Sequence, residues 1–104
     1  MQRKWVCYVC GREVVEGQLF TFTGKGPVHL ACLRKTLAAR LYRNNTDAAL
    51  WELVTLANEG IVRVKSLEEL LEDEEAKKLA LELRKSLEGF AARLTNKLVE
   101  RIGA

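Results

Sequence analysis

The sequence has little of what enzymes and membrane proteins usually need. It has one histidine, no pair of acidic residues at a defined spacing and no nucleotide-binding fingerprint, so nothing in it supports catalysis. No apolar run approaches the ~20 residues of a membrane-spanning helix, and no hydrophobic signal region follows the charged residues at the start. We therefore expect a non-enzymatic, cytoplasmic protein that binds no membrane and no small-molecule substrate.

Cysteine is also scarce, and the 104-residue chain has three. An odd number of cysteines fits a reducing compartment better than a secreted disulfide framework. Together with the single histidine they form the pattern C-x2-C, eighteen residues, H-x2-C, which consists of Cys7, Cys10, His29 and Cys32. This is one complete tetrahedral zinc set, and we predict one structural Zn²⁺ per chain. Four protein ligands leave no open position for a catalytic water.

The alternative interpretation of the first two cysteines is a redox pair. Such pairs lie in a thioredoxin-like βαβ pattern, which is absent from this sequence. A redox pair would also leave the His29 and Cys32 pair unexplained. We therefore prefer metal binding.

The segments around these ligands predict a small zinc finger. Residues 5–11 form a knuckle in which both sulfurs reach one ion. Residues 14–22 are predicted to form a β-hairpin with Glu16-Gly17 at its turn, and residues 24–27 a second turn. A helix from about His29 to Arg43 supplies the last two ligands from its first turn. A knuckle, a hairpin and a helix in this order describe a treble clef.

The motif resembles a known family. Cys7 to Gly17, followed by Gly26 to Cys32, is similar to the first zinc-binding half of a LIM domain, including the glycine after the knuckle and the Glu-Gly turn. The resemblance covers residues 5–33 and implies zinc binding. A LIM domain continues with a second C-x2-C, and this chain has no further cysteine. The whole chain also resembles small uncharacterised archaeal proteins in which such a finger precedes helices, which again implies zinc binding.

The remainder of the chain is predicted to be helical. Asn45 or Thr46 can cap a helix that runs to about Asn58 and stops at Gly60. Residues 61–64 are β-prone and would add to the hairpin of the finger.

The last third of the chain is predicted to contain two more helices. Ser66 to Glu69 form a capping box that opens the first of them. A break near Asp73 separates it from a long helix, which Asp73 would cap. The long helix carries one apolar stripe of seven residues at a mean spacing of about 3.8, which favours packing on a domain over a coiled coil. The stripe consists of Leu79, Leu83, Leu87, Phe90, Leu94, Leu98 and Ile102.

These elements predict an α+β fold that is mostly α. Residues 1–43 form a treble-clef zinc-binding module, and residues 44–104 form a helical region that packs on it or on a second chain. Charge differs between the two parts, because residues 1–43 hold eight Lys or Arg and two Glu, whereas residues 44–104 hold nine Lys or Arg and twelve acids. The basic finger suits nucleic acid, the acidic half of the same protein or an acidic partner.

Two functions remain open after this reasoning. We prefer a protein-interaction or structural adaptor, which would bind a protein partner or form a homodimer through the C-terminal helices. The alternative is a nucleic-acid-binding accessory protein that uses the basic face of the finger. Against it, the basic residues of the helix after His29 make no narrow ridge, and Phe20 and Phe22 are favoured as core over base-stacking platforms. The candidate contact residues for nucleic acid or a partner are Tyr8, Arg12, Lys25, Arg34 and Lys35.

Overall fold

The fold was obtained as a computed structural model that describes residues 5–15 and 17–103. Four short strands are followed by three helices, in agreement with the predicted α+β, mostly α class. The strands are β1 (Trp5–Val6), β2 (Glu13–Val14), β3 (Phe20–Thr23) and β4 (Gly26–His29), and the helices are α1 (Leu30–Leu41), α2 (Asn45–Glu68) and α3 (Glu74–Ile102). No helix among the described residues is both long and apolar enough to cross a membrane.

The strands form two antiparallel hairpins, and their pairing differs from the prediction. β1 pairs with β2 around the knuckle, so the knuckle itself is the turn of the first hairpin. β3 pairs with β4 around Gly24 and Lys25. The predicted hairpin over residues 14–22 is therefore wrong, because its two halves belong to different hairpins. Of the predicted Glu16-Gly17 turn, Glu16 lies outside the described residues.

Helix α1 begins directly after β4 and buries a stripe of leucines. His29 is the residue before its first turn, and the helix ends at Leu41, two residues before the predicted Arg43. Each leucine of this stripe is at most 3% exposed. The stripe consists of Leu30, Leu33, Leu37 and Leu41.

Helix α2 is continuous over 24 residues, and this overturns the prediction for residues 44–70. Its N-cap is Asn44 and not Asn45 or Thr46, because the Asn44 side chain accepts a hydrogen bond of 2.9 Å from the Asp47 backbone N–H. The helix passes through Gly60 without stopping. A Cβ at Gly60 would lie 3.2 Å from Leu87 Cδ1 of α3, so the glycine permits a close approach between two helices.

The next two predictions on α2 are also wrong. Residues 61–64 are helical and not a strand, because their β-branched side chains pack in the middle of a long helix whose tertiary contacts override local preference. Ser66 caps no helix. Its hydroxyl donates a 3.3 Å hydrogen bond to the carbonyl of Val62, as a serine within a helix does.

The predicted break near Asp73 and the long helix after it are confirmed. The Asp73 side chain accepts a 2.8 Å hydrogen bond from the Ala76 backbone N–H and caps α3. Glu74 and Glu75 occupy the first turn and Arg101 the last, as the helix dipole favours. Gly103 ends the helix at φ 75°, a left-handed conformation that glycine adopts without strain.

Helices α2 and α3 form an antiparallel hairpin. Ion pairs join Asp47 at the start of α2 to Arg101 at the end of α3, and Glu68 at the end of α2 to Arg84. Asp47 pairs with a residue late in α3, and Glu68 pairs with a residue earlier in α3. The two helices therefore run in opposite directions.

The finger and the hairpin share one core. Thr21 of β3 and Thr95 of α3 are both buried, and their hydroxyls are 2.9 Å apart. Arg40 of α1 donates a 3.0 Å hydrogen bond to the carbonyl of Ile102. The buried cluster runs from the finger to the helices without interruption, and it contains Cys7, Val14, Val28, the four leucines of α1, Trp51, Val54 and Leu98.

Candidate metal centre

The four predicted ligands come together at the end of the finger. Cys7 and Cys10 lie in the knuckle between β1 and β2, His29 ends β4, and Cys32 lies in the first turn of α1. Their ligand atoms all lie within 4.8 Å of one another, so the group can hold a metal ion. The two pairs are distant in sequence and meet because β4 runs back past the knuckle.

Backbone hydrogen bonds fix the shape of the knuckle. The Cys7 N–H donates to the carbonyl of Arg12 at 2.9 Å, and the Gly11 N–H donates to the carbonyl of Cys7 at 2.9 Å. Gly11 has φ 73°, which lets the chain turn back past the sulfurs without a Cβ penalty. These bonds hold Cys7 and Cys10 on the same side of the turn.

Further backbone N–H groups point at the sulfur atoms. The Arg12 N–H lies 3.4 Å from Cys10 Sγ, and the His29 N–H lies 3.4 Å from Cys7 Sγ. Hydrogen bonds to a thiolate stabilise its charged form, which is the form that binds metal. The backbone of the finger is thus arranged around charged sulfur.

The imidazole of His29 is oriented with one nitrogen toward the sulfurs. Nδ1 lies 3.4 Å from Cys10 Sγ and 3.8 Å from Cys32 Sγ. Nε2 lies 3.2 Å from the carbonyl of Glu13 and 3.2 Å from Oε1 of Gln18. Two acceptors at Nε2 favour a proton on that nitrogen, which leaves the lone pair of Nδ1 for a metal.

Gln18 is a site residue that the sequence reasoning missed. Its Oε1 accepts a 2.8 Å hydrogen bond from the Val15 N–H and also faces His29 Nε2. It therefore joins the loop before β3 to the orientation of a ligand. No spacing rule in the sequence distinguishes this glutamine from a solvent-exposed loop residue.

Two thiols of the cluster, Cys7 and Cys32, have pKa values shifted in opposite directions. Burial raises the pKa of Cys7, but hydrogen bonds from the backbone of Cys10, His29 and Val9 outweigh it and bring the pKa down to about 6. Burial raises the pKa of Cys32, and the neighbouring sulfurs of Cys10 and Cys7 raise it further, to about 11. Several thiolates in one place repel each other, and a divalent cation among them removes that repulsion.

The predicted contact residues are exposed and lie in three separate segments of the chain. Tyr8 and Arg12 belong to the knuckle, Lys25 to the β3–β4 turn, and Arg34 and Lys35 to α1. None of the four basic side chains forms an ion pair with another residue in the described part of the chain. Their role in binding stays a prediction.

The two phenylalanines of β3 form an aromatic cluster with Trp5. Ring centroids of the three side chains lie 5.2 to 5.7 Å apart. The cluster lines a cleft of about 470 Å³ between the finger and the helical hairpin. Phe22 is 44% exposed, so its prediction as a core residue is wrong, and the buried residue of β3 is Thr21 on the opposite face.

Comparison with known proteins gives one finding. No curated protein and no solved structure matched the chain. A family model described as "uncharacterized protein conserved in archaea (DUF2175)" matches residues 3–100. Because this match covers nearly the whole chain, the protein belongs to that archaeal family.

Proposed function

We propose that the protein binds one structural Zn²⁺ through Cys7, Cys10, His29 and Cys32 and acts as a non-catalytic protein-interaction or structural adaptor. The observation that carries the proposal is the convergence of four soft ligand atoms within 4.8 Å. Three thiolates and one imidazole are a ligand set typical of structural zinc in proteins. The oriented imidazole and the N–H groups around the sulfurs support it further.

The proposed zinc is structural because its coordination is complete without water. Catalytic zinc sites have three protein ligands and an open fourth position, and thiolates also reduce the Lewis acidity of the ion. A structural zinc contributes an apparent ~10 to 16 kcal/mol to folding. The two hairpins have only twelve strand residues in total, so they contribute little apolar burial of their own to the shared core.

The proposed finger is a treble clef similar to the first half of a LIM domain. A knuckle, a hairpin and the first turn of a helix bring the two ligand pairs together in that order. In this function the metal fixes the position of exposed side chains and of α1, and other parts of the surface bind a protein. Nothing in the site requires a substrate.

The zinc assignment is tested by metal content and by a matched pair of variants. Purified, reduced protein is expected to hold about one zinc per chain, which elemental analysis measures. Cys32→Ser should reduce zinc binding, because an alcohol is a poor zinc ligand. Ala31→Ser introduces the same side chain one residue earlier on an exposed position and should leave zinc unchanged. Stoichiometric absence of zinc in the wild-type protein would overturn the proposal.

The structural role needs a separate measurement. Removal of zinc by a chelator should unfold residues 5–35, which amide hydrogen exchange reports residue by residue. Return of protection on addition of Zn²⁺ is the control for irreversible damage. Full protection of β3 and β4 after chelation would contradict a structural metal.

The second candidate function is nucleic-acid binding by the finger. The observation that favours it is that Arg12, Lys25, Arg34 and Lys35 are exposed and have no ion-pair partner among the described residues. Affinity for DNA or RNA should then fall linearly with the logarithm of salt concentration. A protein with intact zinc that shows no retention on a nucleic-acid column at ~50 mM salt excludes this function.

A further inference from the structure

The chain exposes more surface than a compact monomer of its mass. Its accessible surface is 7253 Å², whereas a folded monomer of this mass is expected to expose about 5,900 Å². The Cα radius of gyration is 14.8 Å, compared with about 13 Å for a compact domain of this length. The molecule measures 46 × 32 × 17 Å and is therefore a thin, elongated slab. Its excess surface of about 1,300 Å² exceeds the ~800 Å² that each partner buries in a standard interface.

Part of this surface is a row of apolar side chains on the helical hairpin. We call it the outer leucine face, and it consists of Leu56 and Leu67 of α2 and Leu79, Leu83 and Phe90 of α3. These side chains are 48% to 65% exposed. Three of them belong to the single stripe that the sequence predicted from Leu79 to Ile102. The stripe is divided in the structure, since Leu98 is fully buried.

The outer leucine face points away from the finger. On α3, Leu79, Leu83 and Phe90 lie within about 40° of one another at 100° per residue. Leu87, which approaches α2, lies about 80° from Leu79 around the helix axis. Thr95, which hydrogen-bonds to Thr21 of the finger, lies about 160° from Leu79 in the same direction. The face that contacts α2 therefore separates the outer face of α3 from its finger face.

The same order holds on α2. Leu56 and Leu67 lie within about 40° of Gly60, which approaches α3, and the core residue Val54 lies about 120° from Gly60 in the other direction. On each helix, the side that contacts the other helix therefore lies between the side that faces the finger and the side that carries the exposed leucines. The two sets of leucines consequently share the side of the hairpin that the finger leaves uncovered.

The size of this side approaches that of a standard interface. From Leu79 to Lys97 the exposed line on α3 runs for about 27 Å at 1.5 Å per residue. Two helices packed 8–10 Å apart present a layer about 20 Å wide. The outline of this side is thus roughly 540 Å², about two thirds of the ~800 Å² that each partner buries in a standard interface.

The charges along the outer side of α3 select the orientation of the partner. Exposed Glu75 and Glu82 lie toward its N-terminal end, and exposed Arg93 and Lys97, followed by exposed Glu100, lie toward its C-terminal end. Two parallel copies would place acid against acid and base against base. Two antiparallel copies would place Glu75 opposite Lys97, because both lie eleven residues from Ser86.

We propose that the outer leucine face is the contact surface between two copies of this chain, which pair through antiparallel α3 helices about a two-fold axis near Ser86. Leu83 and Phe90 flank Ser86 and interdigitate with the same residues of the second copy, while the Glu75 and Lys97 pairs close the two ends. The second copy is thus the protein partner of the adaptor, an inference that rests on the proposed function. The small side chain of Ser86 lets the two helices approach each other at the axis.

The solution mass of the zinc-loaded full chain tests the proposal. Light scattering coupled to size-exclusion chromatography should give a mass near twice 11.8 kDa. Leu83→Glu should weaken the dimer by at least about 100-fold, because each copy loses an apolar contact and gains a carboxylate at the axis. Leu81→Glu is the matched control, since Leu81 is an exposed leucine of α3 that lies about 160° from Leu83. Its dimer should keep the wild-type affinity.

A cross-link tests the register independently of affinity. Ser86→Cys places a thiol at the two-fold axis, where it meets its own copy and should form a disulfide on mild oxidation of the zinc-loaded protein. Lys85→Cys is the control, because its exposed side chain lies about 100° away around the helix and should form no such bond. Helical circular dichroism and zinc content, measured on every variant, separate a lost contact from lost folding.

The outcomes separate this proposal from the zinc proposal. A dimer with a dissociation constant of ~1 μM would be almost fully formed at ~0.5 mM protein. If the zinc-loaded wild-type chain stays monomeric at that concentration, the dimer is refuted and the zinc assignment is unaffected. A dimer without zinc overturns the zinc assignment alone. Equal loss of the dimer in Leu83→Glu and Leu81→Glu, or equal cross-linking at positions 85 and 86, refutes this face and register.

Discussion

The hydrogen bond between Thr21 and Thr95 offers the sharpest test of how the finger sits on the helices. The two hydroxyl oxygens are 2.9 Å apart, and the residues are 4% and 0% exposed. Water cannot replace a lost partner at such a site. Thr21→Val or Thr95→Val keeps the side-chain shape and leaves the opposite hydroxyl without its partner. Each single change should therefore reduce the free energy of unfolding by ~1 to 3 kcal/mol.

The double variant is expected to behave differently from the sum of the singles. With valine at both positions no buried hydroxyl remains, and replacement of both partners by apolar groups of the same shape is nearly neutral. The free energy of unfolding of the double variant should lie within ~1 kcal/mol of wild type. Because the two single changes together should cost ~2 to 6 kcal/mol and the double variant at most ~1, the coupling energy between the two positions should be at least ~1 kcal/mol.

Urea unfolding of the zinc-loaded protein measures this cycle. Trp5 of the finger and Trp51 of α2 provide fluorescence signals from the two parts of the chain. The four proteins should share one slope with urea concentration, because none of the changes alters the surface exposed on unfolding. A coupling energy near zero, with the double variant as unstable as both singles together, would refute the docking of β3 on α3.

Three further predictions concern single positions. Gly89→Ala should raise the free energy of unfolding by ~1 kcal/mol, because a Cβ there meets no atom within 4 Å; a destabilised variant in urea unfolding would contradict it. Hydrogen bonds from Arg101 and then Asn44 hold the pKa of Asp47 below its ordinary value. The ionised carboxylate therefore stabilises the fold at neutral pH, and this contribution is lost as the pH falls below about 4. Asp47→Asn should remove this part of the pH dependence of the free energy of unfolding. Loss of zinc at low pH should affect wild type and variant alike, so identical pH profiles of the two proteins would argue against the ion pair. Gln18→Ala should weaken zinc binding about 10- to 100-fold in chelator competition, because Gln18 faces Nε2 of His29, and an unchanged affinity would show that the Glu13 carbonyl suffices.

The sequence predicted the candidate metal centre better than it predicted the strands around it. The ligand set depends on residue type and spacing, and Cys7, Cys10, His29 and Cys32 exhaust the soft ligands of the chain. Strand pairing depends on which segments meet in space, and the sequence did not reveal that the segments on either side of the knuckle pair as strands. The hairpin of residues 14–22 was wrong for that reason.

Gly60 shows why the helices were only partly predictable. A glycine after an amphipathic segment usually indicates the end of a helix. Here it lies where Leu87 of α3 approaches α2, and that contact is between residues far apart in the sequence. The caps at Asp73 and Gly103 are local features, and the Asp73 cap was predicted correctly.

The stripe from Leu79 to Ile102 shows a similar limit on the long helix. Its spacing predicts that one side of α3 is apolar. The spacing does not predict how much of that side is covered by the rest of the protein. Leu98 is buried in the shared core, while Leu79 and Leu83 lie beyond the finger and stay more than half exposed. A single pattern in the sequence therefore serves two surfaces in the structure.

Helix α1 connects the candidate metal centre to these surfaces. Its first turn contains the ligand Cys32, and its later turns contribute Leu37 and Leu41 to the core that includes Trp51 and Leu98. A metal that fixes the position of Cys32 also fixes the helix on which α2 and α3 pack. The finger packs on one side of the helical hairpin, and the outer leucine face lies on the opposite side. The proposed zinc binding and the proposed dimerisation would then be two uses of one scaffold, and we expect that each can be removed by a substitution that leaves the other in place.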